Sequence, residues 1–217
     1  MTMFEVRKKL PLTVFSHDMI AVVLRRSVSN VNEKISKMVK KGELIRLKRG
    51  VYAWGEPYRD RPADRIAAAN RLLSPSYVSF EYALSYHGLI PERVYEITSA
   101  TTKPKKSFDT PLGRFSYRTV PVRAYAPGLQ WLYDDKEGGR LVATPEKALC
   151  DTLRTKKGLG RLSQKRLLAF LEEDLRIEPE DLFALDAELI RQIAVAYGSP
   201  LLRELGAMIA KQRRESA

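Results

Sequence analysis

The sequence predicts an α+β protein made of three consecutive parts. Near the N-terminus, two short helix patterns lead into a basic hairpin. Alternating strand patterns and capped helices follow, and the last quarter shows helix patterns alone. The 217 residues are enough to bury at least one sizeable core. We therefore divide the chain into an N-terminal unit (1–57), a mixed α+β domain (58–160) and a helical C-terminal extension packed on it (161–217).

Two helices are predicted in the N-terminal unit. Ser16 and Asp18 mark the start of the first, because a hydroxyl caps unpaired backbone N–H groups and an acid favours the positive end of the helix dipole. Residues 19–24 are apolar almost all round, as in a buried support helix. Asn30 and Glu33 have the spacing of a capping box and start the second helix. Its apolar stripe is Val31, Ile35, Met38 and Val39.

Gly42 ends the second helix, and residues 44–54 indicate two short strands around a basic turn at 48–50. Helix, short turn, helix and basic hairpin together are the plan of a winged helix-turn-helix. The second helix of that fold suits the major groove of DNA, and its candidates for base readout are Ser29, Asn30, Asn32, Ser36 and Lys37. The hairpin supplies candidates for contacts with phosphates or the minor groove: Arg46, Lys48 and Arg49.

Two alternatives stay open for this unit. The Asn30 amide can pair with adenine, but the same side chain is needed to cap the helix. Winged helices also serve as protein-binding modules, although the basic hairpin favours DNA here.

The distribution of charge agrees with a polyanion-binding N-terminus. The net charge is +12, and residues 1–57 hold 12 Lys and Arg against 5 Asp and Glu. Residues 58–160 hold 17 against 11, and residues 161–217 hold 9 against 10. Such asymmetry suggests that the N-terminal part binds a polyanion and that the C-terminal part has another role. Charge alone is equally compatible with a basic, well-solvated surface.

The middle domain begins after a proline-bounded charged stretch at 56–62, the predicted boundary. Strands are predicted at 94–99, 113–120 and 141–143, and helices at 64–73, at 80–87 capped by Ser79, and from Thr144-Pro145 onward. Five basic residues would extend a DNA path if the loop after 101 and the strand at 113–120 share a face, and otherwise form a scattered solvated surface: Lys103, Lys105, Lys106, Arg114 and Arg118.

Four motifs occur in order at 49–52, 77–91, 97–101 and 143–151 (RGVY, YVSFEYALSYHGLIP, ITSAT and ATPEKALCD). Together they resemble the AbiEi family of antitoxin-type transcriptional regulators, over roughly residues 12–155. The resemblance implies an N-terminal winged helix that binds operator DNA at inverted repeats and represses its own operon. It also implies a type IV toxin–antitoxin pair, in which a nucleotidyltransferase-like toxin encoded nearby is opposed without necessarily being contacted.

The C-terminal quarter follows a basic, flexible break at 156–160. Helices are predicted from Ser163, Pro179, Asp186 and Ser199-Pro200. This neutral segment carries no chemical motif, and it either braces the middle domain or forms a dimer surface.

Enzymatic function is not predicted. Histidine occurs only at 17 and 87, and Cys150 falls in an apolar helix, where a buried thiol is inert. No phosphate-cradling loop, cofactor motif or metal-ligand cluster is evident. A metal nuclease can be imagined from scattered carboxylates, but their spacing does not favour it: Glu81, Glu96, Glu146 and Asp151.

Composition points to a soluble, cytoplasmic protein. The charged N-terminus lacks the apolar core of a signal peptide, no apolar run could span a bilayer, and one cysteine makes neither an internal disulfide nor a zinc site. The leading hypothesis is a sequence-specific repressor that binds double-stranded DNA as a monomer or dimer, without cofactor or membrane. The alternative is an antitoxin that sequesters its toxin by direct binding.

Overall fold

The protein has a mixed α+β fold built around two β-sheets. The computed structural model describes residues 2–156, 158–159 and 162–215. The α-helices of this part are α1 Met3–Lys9, α2 His17–Leu24, α3 Val31–Lys40, α4 Arg65–Leu72, α5 Phe80–Tyr86, α6 Pro145–Thr155, α7 Gln164–Ala169, α8 Pro179–Ala184, α9 Ala187–Tyr197 and α10 Pro200–Glu215. Its strands are β1 Val14–Ser16, β2 Leu44–Lys48, β3 Val51–Trp54, β4 Ser76–Val78, β5 Ile97–Thr101, β6 Lys106–Thr110, β7 Gly113–Thr119, β8 Leu129–Asp134 and β9 Gly138–Ala143.

The N-terminal unit combines α1, α2 and α3 with a three-stranded antiparallel sheet of order β1-β3-β2. Ser16 caps α2 and Asn30 caps α3, as the sequence predicts. The Glu33 carboxylate pairs with Lys37 instead of closing the predicted capping box. Side chains from all three helices and the sheet form a separate apolar cluster that includes Val6, Phe15, Leu24, Met38 and Trp54. The predicted pair of helices and pair of hairpin strands are therefore present, with α1 and β1 in addition.

The larger sheet has the strand order β6-β7-β5-β4-β9-β8. The pairs β6/β7, β4/β5 and β8/β9 are antiparallel, whereas β5/β7 and β4/β9 are parallel. Helix α4 covers one face, where the Tyr117 hydroxyl donates to the Ala69 carbonyl at 2.7 Å. Helices α5 and α6 cover the other face. The sequence predicts β5, β7 and β9 but not β4, β6 and β8; the predicted strand at 94–99 begins later, at Ile97.

A fully buried ion pair joins the sheet to the C-terminal helices. Lys147 Nζ lies 2.9 Å from Asp151 Oδ1, one turn apart on α6, and both side chains have 0% exposure. Three hydroxyls donate to the Asp151 carboxylate: Tyr77 at 2.9 Å, Ser79 at 2.7 Å and Tyr197 at 2.5 Å. Burial, with the nearby carboxylate, raises the pKa of both tyrosines, so that each hydroxyl stays a donor. The Asp151 cluster, as we call these five residues, therefore connects β4, α6 and α9.

This cluster and a neighbouring contact correct two predictions from the sequence. Ser79 precedes α5, but its hydroxyl is committed to Asp151 and does not cap that helix. The His87 backbone N–H donates to the Ala83 carbonyl of its own helix, but the ring does not cap that helix; its Nε2 donates to the Ala143 carbonyl of β9 at 2.8 Å.

The N-terminal unit is packed against the larger sheet by apolar and polar contacts. Val14, Leu47 and Val51 belong to the same core cluster as the middle domain and the C-terminal helices. Glu137, 5% exposed, accepts from the Thr13 hydroxyl at 2.7 Å and from Arg61 at 2.9 Å. The predicted boundary at 56–62 is thus crossed by buried contacts. Gly160 and Arg161, where the second boundary is predicted, and Lys157 of the predicted break lie outside the described residues.

Within the part of the chain that the structure describes, no helix combines the length and apolarity needed to cross a membrane.

Candidate nucleic-acid interface

A groove of about 640 Å³ separates α3 from the β2–β3 hairpin. Its polar and charged lining comprises His17, Asn32, Ser36, Lys40, Arg46 and Arg49. Four of these are candidates from the sequence, so the fold brings the predicted helix residues Asn32 and Ser36 to face the predicted hairpin residues Arg46 and Arg49. The other two, His17 and Lys40, are not among the site residues predicted from the sequence.

The orientation of α3 follows from its two buried residues. Ile35 and Met38 are 3% and 0% exposed and fix the inward face of the helix. Residues four apart share a face, so Asn32, Ser36 and Lys40 form one polar row along the groove. Asn30 Oδ1 accepts from the Glu33 backbone N–H at 3.0 Å and sets where that row begins.

The hairpin supplies two exposed arginines to the opposite wall. Gly50 has φ +84°, a left-handed conformation that lets the chain reverse tightly after Arg49. The pairing of β2 with β3 is irregular here: Arg46 lies opposite Tyr52 and Lys48 lies opposite Val51, so β2 has one extra residue between these two pairs. Such a bulge changes the direction of the side chains that follow it. Arg46 and Arg49 consequently line the groove, whereas Lys48 points elsewhere.

Asn32 is held by a residue from another helix. Its Oδ1 lies 2.7 Å from Nε2 of His17, whose Nδ1 is 3.2 Å from an Asp18 carboxylate oxygen. With the amide oxygen engaged, the two N–H donors of Asn32 remain for a ligand in the groove. No local pattern reveals this contact, because fifteen residues and a turn separate the two side chains.

The other helix candidates lie outside the groove lining. Ser29 is exposed just before the helix, and the Asn30 oxygen is occupied as a cap. Lys37 forms an exposed pair with Glu33, with Nζ 2.5 Å from the carboxylate. These three residues are solvent-accessible but do not face the hairpin arginines.

Lys48 belongs to a different basic cluster. Its Nζ donates to the Leu72 carbonyl at the end of α4 at 2.5 Å and lies 5.4 Å from the centre of the Phe108 ring. Lys106 Nζ lies 5.2 Å from the same ring. Burial lowers the pKa of Lys48, and the charges of Lys106 and Lys103 lower it further. The side chain predicted for the hairpin tip therefore packs against the larger sheet.

The second predicted patch divides between two faces, so of the two alternatives that the sequence leaves open the structure has the scattered surface. Lys106 pairs across the strands with Tyr117 and so lies on the α4 face. Arg114 and Arg118 alternate with Phe115 and Tyr117 on β7 and point to the opposite face. Lys103 donates to the Ser74 carbonyl at 2.5 Å, while Lys105 is exposed.

Both arginines of this patch are already paired. Arg118 makes two contacts with the Glu81 carboxylate, at 3.0 and 2.8 Å, and its guanidinium lies 4.5 Å from the centre of the Phe80 ring. Arg114 lies 3.6 Å from Glu96 and 3.8 Å from Asp109. These acidic partners reduce the local positive charge available to a phosphate backbone.

Cys150 is fully buried in α6, as predicted, and burial raises the pKa of its thiol. Among the residues with described positions, no three His, Cys, Asp or Glu side chains are grouped to hold a metal ion.

No protein-family model matches the chain, and no curated protein matches it either.

Proposed function

We propose that this protein is a sequence-specific DNA-binding transcriptional repressor whose N-terminal unit acts as a winged helix-turn-helix. The observation that carries the proposal is the groove between α3 and the hairpin. It has an amide, a hydroxyl and a lysine on the helix wall and two exposed arginines on the hairpin wall. Duplex DNA matches both walls, because it presents hydrogen-bonding base edges beside a line of phosphates.

The chemistry of each wall suits one part of the duplex. An α-helix fits the major groove, where Asn32 and Ser36 can donate to acceptors on base edges. Arg46 and Arg49 carry planar, permanently charged groups that bind phosphate oxygens in pairs. Lys40, in the last turn of α3, adds a third cation on the same side. The helix thus supplies specificity and the hairpin supplies most of the affinity.

The resemblance to AbiEi regulators extends this proposal to an antitoxin that represses its own operon at inverted repeats. A nucleotidyltransferase-like toxin encoded nearby would be opposed, and direct contact with it would not be required. Two of the motifs behind the resemblance, at 77–91 and 143–151, contribute Tyr77, Ser79, Lys147 and Asp151 to the buried cluster. Those residues support the fold and leave recognition to the N-terminal unit.

Binding to the DNA upstream of the protein's own gene tests the proposal. Fluorescence anisotropy is recorded with that duplex and with a shuffled duplex, between 50 and 300 mM salt. We expect tighter binding to the native duplex, and we expect R46A/R49A to lose affinity for both. The matched control is K165A/R166A, which removes two exposed cations of α7 far along the chain.

Equal affinity for the two duplexes, or no binding at 50 mM salt, would refute the proposal. Cleavage of the duplex on addition of Mg²⁺ would contradict the prediction that the protein is not an enzyme.

A further inference from the structure

A second groove, of about 670 Å³, lies on the surface of α9 and α10. The two helices cross closely at Gly206, where an added Cβ would lie 3.3 Å from the Ala187 carbonyl oxygen. Ala207 and Ala210 complete a floor of small side chains. The close crossing and the short side chains leave a shallow channel with charged rims.

Arginines stand at both ends of this channel. Arg203 and Arg214 are eleven residues apart on α10, which places them about 16 Å apart along the axis and on nearly the same face as the two alanines. Both are exposed, and neither forms an ion pair with any residue that the structure describes. Arg213, by contrast, is fixed by hydrogen bonds to the carbonyls of Phe183 and Ala184, at 3.1 and 2.7 Å.

A complementary acidic segment leads into α8, the helix that packs against α10. Six acids fall within residues 172–181: Glu172, Glu173, Asp174, Glu178, Glu180 and Asp181. In the described structure none of them pairs with a cation; the one base in the segment, Arg176, pairs with Glu92. Helix α8, which contains the last two acids, packs against α10 and ends two residues before Asp186 at the rim of the channel.

We infer that this surface is a homodimer interface, in which the acidic segment of each copy (172–181) lies along the arginine channel of the other. A two-fold axis brings each patch of one copy against the opposite patch of its partner, so a surface with adjacent positive and negative patches is self-complementary. Beside its internal pairs, such as Arg191 with Glu188, the near-neutral C-terminal quarter thus offers a partner one cationic and one acidic surface. Because charges dominate over apolar area, the dimer is weak and salt-sensitive.

Sedimentation velocity on the full chain tests the interface. At 50 mM NaCl we expect dimers whose proportion rises with protein concentration, and at 500 mM NaCl mostly monomers. Reversing the channel charges in R203E/R214E, or the segment charges in E180R/D181R, should each weaken dimerisation at least tenfold. The control R25E/R26E makes the same change in net charge as R203E/R214E at two exposed arginines of the N-terminal unit, and should dimerise as the wild type does.

Mixing the two reversed variants is the decisive experiment. In a mixed pair the new glutamates face the new arginines, and the unaltered patches still match, so heterodimers should form at concentrations at which each variant alone is mostly monomeric. Circular dichroism establishes that each variant is folded. A wild type that stays monomeric at 50 mM NaCl and 200 μM protein, dimers unaffected by both reversals, or a mixture that stays monomeric would each overturn the inference. A monomeric wild type whose DNA affinity falls in R203E/R214E would assign the channel to nucleic acid instead.

Discussion

At the residue scale, Asn32 is the side chain on which the proposed base readout most depends. It occupies the centre of the polar row on α3, and His17 holds its oxygen at 2.7 Å. A side chain oriented before binding loses less rotamer freedom when it contacts a base. His17 is therefore a positioning residue for Asn32. Removing the His17 side chain and removing the Asn32 side chain should have different effects on base preference.

Asn32→Ala should relax discrimination at one base pair, costing about 1–3 kcal/mol there, because its hydrogen bonds to a base edge are lost. His17→Ala should lower affinity less and keep the same preferred base. Competition among operators that each carry one altered base pair measures both effects. A variant N32A that discriminates at every position as well as the wild type would remove Asn32 from the readout.

Arg49 and Lys48 are neighbours in sequence with different surroundings. The Arg49 side chain is exposed at the groove, whereas Lys48 Nζ is bonded to the Leu72 carbonyl. Arg49→Ala should reduce the slope of log affinity against log salt by about 0.9, the value for one lost phosphate contact. Lys48→Ala, the matched control, should leave that slope unchanged. The prediction fails if the two variants have the same slope.

At the element scale, helix starts are the best-predicted features of the chain. The predicted caps Ser16, Asn30, Thr144, Ser163 and Asp186 each accept a backbone N–H of the helix that follows. A cap is a local interaction, so residue type and spacing are enough to identify it. Strands were harder to predict: β4 has three residues, all buried, and β6 begins within a segment that its composition assigns to a loop.

Variants at Asn30 can distinguish its role as a helix cap from a role in base recognition. Asn30→Ala should lower the free energy of unfolding by about 1 kcal/mol, whereas Asn30→Asp should keep the cap and the stability. If capping is its whole role, N30D should retain base preference, since its oxygen still accepts the Glu33 N–H. Urea unfolding and operator competition on the same two variants provide the measurements. An equal loss of stability in N30A and N30D would show that the loss does not come from the cap.

At the scale of the whole molecule, the Asp151 cluster connects parts that are distant in sequence. Tyr77 and Tyr197 are 120 residues apart in the chain, yet both donate to one carboxylate. An unpaired charge left in a dry interior is costly, so such a cluster fixes the positions of all its members. The sequence does not show what the C-terminal helices pack against. The cluster explains how they are attached to the sheet.

Asp151→Ala should lower the free energy of unfolding by about 3–5 kcal/mol, because it leaves Lys147 buried without a counter-charge. Tyr197→Phe, which removes one hydroxyl and keeps the ring, should cost about 1 kcal/mol. In D151A the backbone amides of α9 should also exchange faster with solvent, under conditions in which the rest of the protein stays folded. Glu188→Ala, on the exposed side of α9, is the control and should change little. A D151A protein as stable as the control would contradict the structural role of the cluster.

The sequence by itself determined the α+β class, the helix starts, the hairpin and most of the α3 groove, because these depend on contacts within a few residues. Only the tertiary structure decided which cations share a surface. Lys48 turned to the larger sheet, Arg118 paired with Glu81, and Lys106 took the opposite face of the sheet from Arg114. Those outcomes depend on strand order and on one-residue register, and local pattern carries neither. The positive charge of the chain is therefore set by composition, but the surfaces on which that charge lies are set by the packing of the sheet.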